Sequence, residues 1–434
     1  MLDGRYSLTR RRMLGVTGGA ALASLLPAQL AFAAEAPYKL THEDELFLDD
    51  IEKRAVMFFW EQASPNTGQV LDRARNDSNG SLDSRHMASI ASTGFGLTAL
   101  CIADKRGWLP HDKIVERVRT TLDWHLNKFK HVHGFYFHFT DVETGVPVPG
   151  VELSSIDTAL LLCGVLTVRQ YFKDAKIHDL ATQIYERVDW PWMLNGGKTF
   201  SMGWHTDKGF LDARWEHYCE LMMIYLLAIG SPSHPVDPST WQAWTRPTIE
   251  YAGYKYISGN DPIFTHQYSQ AWFDFRHKHD KYTNYFENSV KATKAHKAFC
   301  LSMPKWYSED YWGISASDYQ GGYTAWGGPP LQGPVDGTVV PCAAGGSLAF
   351  VPKDCLHVLK AMKAKYEHSK AWGRYGFVDA FHPVADWYDT DVLGIDQGTT
   401  LIMAENLRTG LVWDVFMRNP EMQTSMKKAG FVAD

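Results

Sequence analysis

The chain has 434 residues and a mass of 49.1 kDa, is 45% hydrophobic and 21% charged, and carries 16 Trp, 20 Tyr and 22 Phe. That is ample for a large buried core and excludes a disordered or collagen-like chain. The formal charge of −6 becomes −9 once residues 1–33, with four arginines and one aspartate, are removed, and it argues against nucleic acid or an anionic membrane as a partner.

Residues Thr9-Arg10-Arg11-Arg12-Met13-Leu14 lead into an apolar, small-residue stretch and then Ala31-Phe32-Ala33, a small-x-small cleavage site. The pattern reads as a twin-arginine signal over 1–33, with 34–434 as a single mature domain and a periplasmic or secreted location. Of six cysteines, Cys101, Cys163, Cys219 and Cys300 sit in apolar helix-like runs and no CxxC occurs, so buried free thiols are expected rather than disulfides.

From Glu43 onward Phe47, Ile51, Ala55 and Phe58 recur at helical spacing. A polar loop over 65–84 holds Arg73. Helices are predicted over 88–105 and 111–129, the latter with Ile114, Val118, Leu122 and Leu126 on one stripe. Residues 133–148 are aromatic and β-prone, with Glu143-Thr144-Gly145 as a hairpin turn. Ser154-x-x-Asp157 has the form of a capping box and opens a helix over 156–172, followed by another over 175–188.

The stretch Met202–Pro232 starts as an aromatic, glycine-containing loop and becomes a strongly apolar run, Leu221–Ile229. Glu216 and Glu220 stand four apart at that junction, a spacing that puts both on one helical face. Further helices are predicted over 239–251, 266–275, 284–302, 352–366, 398–408 and 420–429. Between them, Pro304–Pro341 is the longest irregular segment, rich in Gly, Pro, Trp and Tyr, and a loop of that length is usually functional. About a dozen helices in sequential pairs, few strands and no linker predict one all-α domain. An (α/α)6 toroid, with a small β-hairpin and long loops over the cleft, is the natural closed form.

Several motifs carry nothing. Gly196-Gly-Lys-Thr199 lacks the first glycine of a P-loop, and Gly345-Gly-Ser-Leu-Ala349 lacks the second glycine of a nucleophile elbow. His131, His133 and His138, like His277 and His279, are read as solvated or hydrogen-bonded rather than metal-ligating; neither a metal nor an organic cofactor is expected.

What remains is a pair of acids. Glycoside hydrolysis needs one protonated carboxyl for the leaving oxygen and a second carboxylate across the sugar. Glu220, among Trp215, Tyr218 and Met222, suits the acid if burial raises its pKa against the helix N-terminus. Asp396 is the second candidate, with an N-cap as its structural alternative. Glu405 is a weaker base or a structural partner. Asp157 has a capping explanation, and Asp318 is loop-borne, suited to a sugar hydroxyl or an Asx-turn.

The strings YCELMMIYLLAIGSPSHP, HQYSQAWFDFR, DYQGGYTAWG, YGFVDAF and GIDQGTTLIMAENLRTG strongly resemble the glycoamylase-like domain of glycoside hydrolase family 144, over nearly all of the mature chain. The resemblance implies an (α/α)6 barrel acting on β-1,2-linked glucans, releasing sophorose or short sophorooligosaccharides by inversion. It puts Glu220 at the family's essential glutamate and Asp396 at the aspartate near the end of the barrel. Direct water activation, or activation through a substrate hydroxyl, is left open. Arg73, His266 and Arg276 then become donors to sugar hydroxyls, and Trp204, Trp215, Trp272 and Trp326 become stacking rings. Two rival readings stand beside it: a transglycosylase or phosphorylase on the same glucan, and an exported glycan-binding protein without catalysis.

Overall fold

The computed structural model describes residues 38–329 and 335–434; the export-signal reading of residues 1–33 lies outside them. Among the described residues the helices are α1 (His42–Glu61), α2 (Ile90–Arg106), α3 (His111–Asn127), α4 (Ser155–Tyr171), α5 (Ala175–Glu186), α6 (Trp190–Leu194), α7 (Met222–Gly230), α8 (Tyr268–Trp272), α9 (Tyr285–Leu301), α10 (Pro341–Gly345), α11 (Pro352–Tyr366), α12 (Gly394–Arg408), α13 (Leu411–Phe416) and α14 (Pro420–Lys428). The molecule is thus mostly helical. No described helix is long and apolar enough to cross a membrane. All six cysteines are free and buried.

Helix composition decides which are inside. α7 (MMIYLLAIG) is buried at every residue and α4 at all but its last two, the pattern of a helix enclosed on all sides. α3 and α5 instead bury one stripe each, Ile114/Val118/Leu122 and Ile177/Leu180/Ala181/Ile184, and lie outside. α2 and α4 touch backbone to backbone. A Cβ on Gly164 would stand 2.1 Å from the Gly94 carbonyl oxygen, and one on Gly94 would stand 2.3 Å from Leu160 O. Only glycine permits that approach. On the other flank of α2, a Cβ on Gly398 of α12 would meet the Phe95 ring at 2.3 Å.

The segments leading into the buried helices are tied to one another in a closed circuit. Arg73–Arg75 pairs antiparallel with Asp391–Leu393, directly before α12. Asp72 donates its N–H to Met87 O, and Met87–Ser89, directly before α2, pairs with Phe139–Asp141. Phe137 bridges Leu153, and Leu153–Ser154, directly before α4, pairs with Gly203–His205. Phe200–Ser201 pairs with Arg214–Trp215, which feeds α7. Ser269 Oγ of α8 donates to Glu220 O and accepts the Met223 N–H of α7. Gln267 Nε2, beside α8, donates to Ala343 O of α10. Val339, before α10, exchanges backbone hydrogen bonds with Phe381, and Asp379 N–H reaches Asp391 O, back at α12. Helices α2, α4, α7, α8, α10 and α12 therefore start on one belt.

Four local expectations need correction. Residues 239–251 are not helical: one 3-10 turn (Pro238–Gln242) is followed by the hairpin Thr248–Tyr251/Tyr254–Ile257, whose β-branched and aromatic residues fit a pleat and whose turn, Ala252-Gly253, has positive φ. The helix over 266–275 shrinks to α8, entered by the 3-10 turn Ile263–His266. The irregular 304–341 stretch contains a hairpin, Ala316–Tyr319/Gly322–Ala325, turning at Gln320-Gly321. Short strands of two to four residues are also far more numerous than the few expected, because the belt uses them as clasps. The 143–145 turn does form: Asp141 Oδ1 accepts the N–H groups of Glu143 and Thr144, and Gly145 takes φ +68°.

Candidate active site

Three groups of acids lie on or beside the belt. The first surrounds Glu220. This residue is 5% exposed and sits in the turn before α7, not on the helix, while Glu216 is exposed further out in the loop. The reading that both project from one helical face is therefore incorrect; the polypeptide stays irregular up to Leu221, pinned by its belt contacts. Ser269 grips the Glu220 carbonyl at 2.7 Å, and Tyr225 Oη holds Trp215 O at 2.7 Å. Trp215 is buried and donates its indole N–H to Ser155 Oγ at 2.9 Å. Nearby, Asp261 Oδ2 lies 4.0 Å from His217 Nε2, and burial pushes the Asp261 carboxyl up to about 6.

The second group is a nest of carboxyls. Asp396 is the third residue of α12, whose N-cap is Leu393 without a side-chain cap. The N-cap alternative for Asp396 thus falls away: α12 begins four residues earlier than its predicted start at 398. Asp396 is 7% exposed and Asp379 4%, and the two carboxyls are within hydrogen-bonding reach. Carboxylate oxygens of Asp318, Asp379 and Asp389 lie within 4.8 Å of one another. Asp379 Oδ2 accepts the Asp318 N–H at 2.8 Å, and Asp389 Oδ1 accepts the Thr390 N–H at 2.6 Å. Arg73 Nη1 contacts Asp318 Oδ2 at 2.6 Å while its Nε bonds Asp72 Oδ2 at 3.1 Å, so a guanidinium already seated there supplies the positive charge.

One guanidinium does not balance this much carboxylate in a low dielectric. Burial, then the charges of Asp396, Asp318 and Asp389, drives the Asp379 carboxyl well above the usual range. Burial, then Asp318 and Asp391, pushes Asp389 up to about 8. Asp391 itself is taken by Arg85 in a two-point pair of 2.6 and 3.0 Å.

The third group is at α4. His138 bridges Glu152 Oε1 (3.0 Å, Nδ1) and Asp157 Oδ2 (3.4 Å, Nε2). Asp157 also returns to Ser154, whose Oγ caps its N–H. The capping explanation for Asp157 holds in part, with His138 as an added partner that sequence spacing did not reveal.

Other candidates are dispersed. His266 is buried, shares its Nδ1 with Tyr218 Oη at 3.0 Å and is held neutral, its pKa lowered to about 3 by burial and then by His296. Trp204 is half-buried on the middle strand of a three-stranded sheet, beside Trp192. Trp272 is fully buried with its N–H on Thr98 Oγ1, and Trp326 is fully buried edge-on to Tyr319. Neither offers a sugar a face, so both are corrected to core rings; Tyr319 and Tyr323 of the hairpin, beside Asp318, stay half-buried.

Arg276 and Glu405 are corrected too. Nine residues of α12 set Glu405 about 13 Å along the axis from Asp396. There it is fully buried against Arg106 (2.7 Å) and Thr409. Arg276 pairs with Asp274 and stacks over Trp413 at that same far end.

A hollow of about 950 Å3 lies elsewhere again, between α3 and the α4–α5 junction, among Asp104, Arg119 and Asp174. None of the candidate acids lines it.

Sequence reasoning passed over Asp379, Asp389, Asp261 and Glu152. A signal existed for the first: an acid inside Phe377-Val378-Asp379-Ala380-Phe381 has to be buried.

A glycoamylase family model, described as "Putative glucoamylase", matches residues 212–420. A solved structure given the same description, from Bacteroides fragilis NCTC 9343, is 30% identical and superposes with a TM-score of 0.82, covering 93% of this chain and 100% of that one. The endo-β-1,2-glucanase from Chitinophaga pinensis, solved with sophorotriose and glucose, is 27% identical with a TM-score of 0.81, covering 91% and 99%. The exo β-1,2-glucooligosaccharide sophorohydrolase of Parabacteroides distasonis is 30% identical over 436 residues, 89% of this chain. This chain spans only 58% of the length of that relative. With its buried acids gathered where the inner helices begin, the chain belongs to the glycoamylase-like family of glycoside hydrolases, family 144.

Proposed function

We propose that the protein is an exported hydrolase of β-1,2-glucan that releases sophorose or short sophorooligosaccharides. Glu220 serves as the general acid and Asp396 as the base toward water, on an (α/α)6 toroid whose inner helices all open toward the sugar. One observation carries the reading: Glu220 and Asp396 are buried acids, one in the turn leading into α7 and one on the first turn of α12, two helices that share the hydrogen-bonded belt. The closed circuit of lead-in segments supports the toroid. The named activities of the Chitinophaga and Parabacteroides relatives support the substrate class. The run Thr9-Arg10-Arg11-Arg12-Met13-Leu14 and the Ala31-Phe32-Ala33 site support twin-arginine export to the periplasm or beyond.

Residues 316–325 supply the hairpin that frames the Asp396 side. Tyr319 and Tyr323 there, and Trp204 on the strand paired with the lead-in of α4, offer the half-buried rings on which glucose faces stack. Glu220 gives its proton to the glycosidic oxygen while Asp396, directly or through a sugar hydroxyl, draws the proton from water. Inversion follows if the carboxyls are roughly 6.5–9.5 Å apart, leaving space for that water.

The test is Glu220→Gln, assayed for reducing-sugar release from linear β-1,2-glucan with binding measured alongside. Turnover lost by roughly two to four orders of magnitude with binding retained is the expected result. Unchanged turnover removes Glu220 as the acid. A wild-type protein that binds the glucan and never cuts it points to a non-catalytic glycan-binding protein.

A further inference from the structure

We infer that Asp379 is a positioning residue for Asp396: it is kept as the neutral acid, and its O–H holds the Asp396 carboxylate in place. This rests on the reading of Asp396 as the base.

Asp379 is fixed from both ends of its own residue. Its N–H donates to Asp391 O at 2.9 Å, which ties it to the strand entering α12. Its Oδ2 accepts the Asp318 N–H at 2.8 Å, which ties it to the hairpin. The remaining oxygen, Oδ1, is buried and accepts no hydrogen bond from any described donor. An ionised oxygen in that place is uncompensated, whereas an O–H has an acceptor ready, because the Asp396 carboxyl is within hydrogen-bonding reach.

The surrounding charges favour the same state. Asp379 is faced by Asp396 from α12, by Asp318 from the hairpin and by Asp389 from the loop ahead of Asp391. The cation in the nest is Arg73 from the strand paired to Asp391–Leu393, already bonded to Asp72 and Asp318. A proton retained on Asp379 lowers that imbalance and converts a repelling neighbour of Asp396 into a donor. Held this way, the Asp396 carboxylate keeps one fixed orientation on the first turn of its helix.

The deciding variants are Asp379→Asn and Asp379→Ala. The carboxamide keeps an acceptor for the Asp318 N–H and a donor for Asp396 but cannot ionise. We expect it to fold, to bind glucan with unchanged KM, to keep kcat within about tenfold of wild type, and to lose the alkaline limb that Asp379 ionisation gives the wild-type pH profile. The alanine variant lacks the donor, and kcat falls by about 10–100-fold at constant KM, the usual value of one hydrogen bond to a charged group.

Two results overturn the inference. Asp379→Asn as inactive as Asp396→Asn means that Asp379 works ionised; Asp379→Ala with wild-type kcat and pH profile means that it positions nothing. A third arm needs no substrate. If the folded protein keeps the Asp379 proton, the wild-type melting temperature falls as pH rises above the ordinary carboxyl range, and Asp379→Asn flattens that slope. An unchanged slope overturns the proton assignment even if the protein proves not to hydrolyse β-1,2-glucan, so failure here is separable from failure of the substrate reading.

Discussion

Arg73 and Asp318, 245 residues apart, meet at 2.6 Å, and this contact fastens the Ala316–Ala325 hairpin to the strand Arg73–Arg75, which pairs with the lead-in of α12. The pair is only partly exposed, 17% and 19%, and the same guanidinium serves Asp72. This ion pair and the Asp318 N–H bond to Asp379 Oδ2 together hold the hairpin over the Asp396 side.

Replacing Arg73 with Ala is expected to leave Asp72, Asp318 and Asp379 facing one another without a cation. Breaking a buried pair by removing one partner costs about 3–5 kcal/mol, and partial exposure puts this site at or below the lower end. Urea denaturation at pH 7 measures it. Arg73→Lys is expected to recover less than half of the loss, because an ammonium cannot hold Asp72 and Asp318 through a planar fork. Full recovery by lysine would show that charge alone, not the two-point geometry, matters.

Asp396→Asn is expected to lower kcat by roughly two to four orders of magnitude while leaving the fold intact, since asparagine fits the same first-turn position. Glu405→Gln, at the far end of the same helix, is expected instead to act on stability. Its carboxylate is buried against Arg106 Nε and Nη2 at 2.9 and 2.7 Å, so neutralising it leaves a guanidinium without its counter-charge. Comparing kcat and melting temperature for both variants separates chemistry from scaffold on one helix. A Glu405→Gln enzyme with normal stability and lost turnover would reverse the assignment of the two ends.

The contrast between those two residues also shows how far the sequence could be read. Both acids were visible as candidates in GIDQGTTLIMAENLRTG, and helical pitch alone puts them about 13 Å apart on one axis. Which end faces substrate depends on the belt, whose clasps are strands of two or three residues, too short to leave a period in the sequence. Trp272 was misread for a related reason: a buried indole needs an acceptor, and its own comes from Thr98, 174 residues away, while Trp326 is buried edge-on to Tyr319 of the neighbouring hairpin. Helices α3, α5, α9 and α11 were legible because each carries its own stripe or cap. The residues at 239–251 were not, because an isolated Pro-Ser-Thr-Trp turn and a β-hairpin together mimic the length of one helix.

Gly164→Ala is expected to destabilise without touching the site. The added methyl would stand 2.1 Å from the Gly94 carbonyl oxygen, and backbone on both sides leaves nothing flexible to move aside. Overpacking of this kind costs about 1–3 kcal/mol, or more when backbones must part. A lowered melting temperature with KM and residual kcat preserved at low temperature is the expected outcome. An unchanged melting temperature would mean that α2 and α4 separate freely, contrary to their enclosed packing.

Acid is expected to weaken the fold through buried histidines before any carboxylate network fails. His266 is held down to about 3, and His125 and His296 to about 4, each chiefly by burial. In the unfolded chain the same imidazoles titrate near 6.5. Below that value the unfolded state takes up protons that the native state refuses, so stability is full above pH 6.5 and declines as pH falls through the folded values. The slope is about 1.4 kcal/mol per pH unit for each histidine in that window. His266→Gln keeps a polar partner for Tyr218 and cannot charge, so its melting temperature should decline less between pH 6.5 and 4 than that of the wild type. Parallel curves for the two proteins would show that His266 is not held neutral in the folded state.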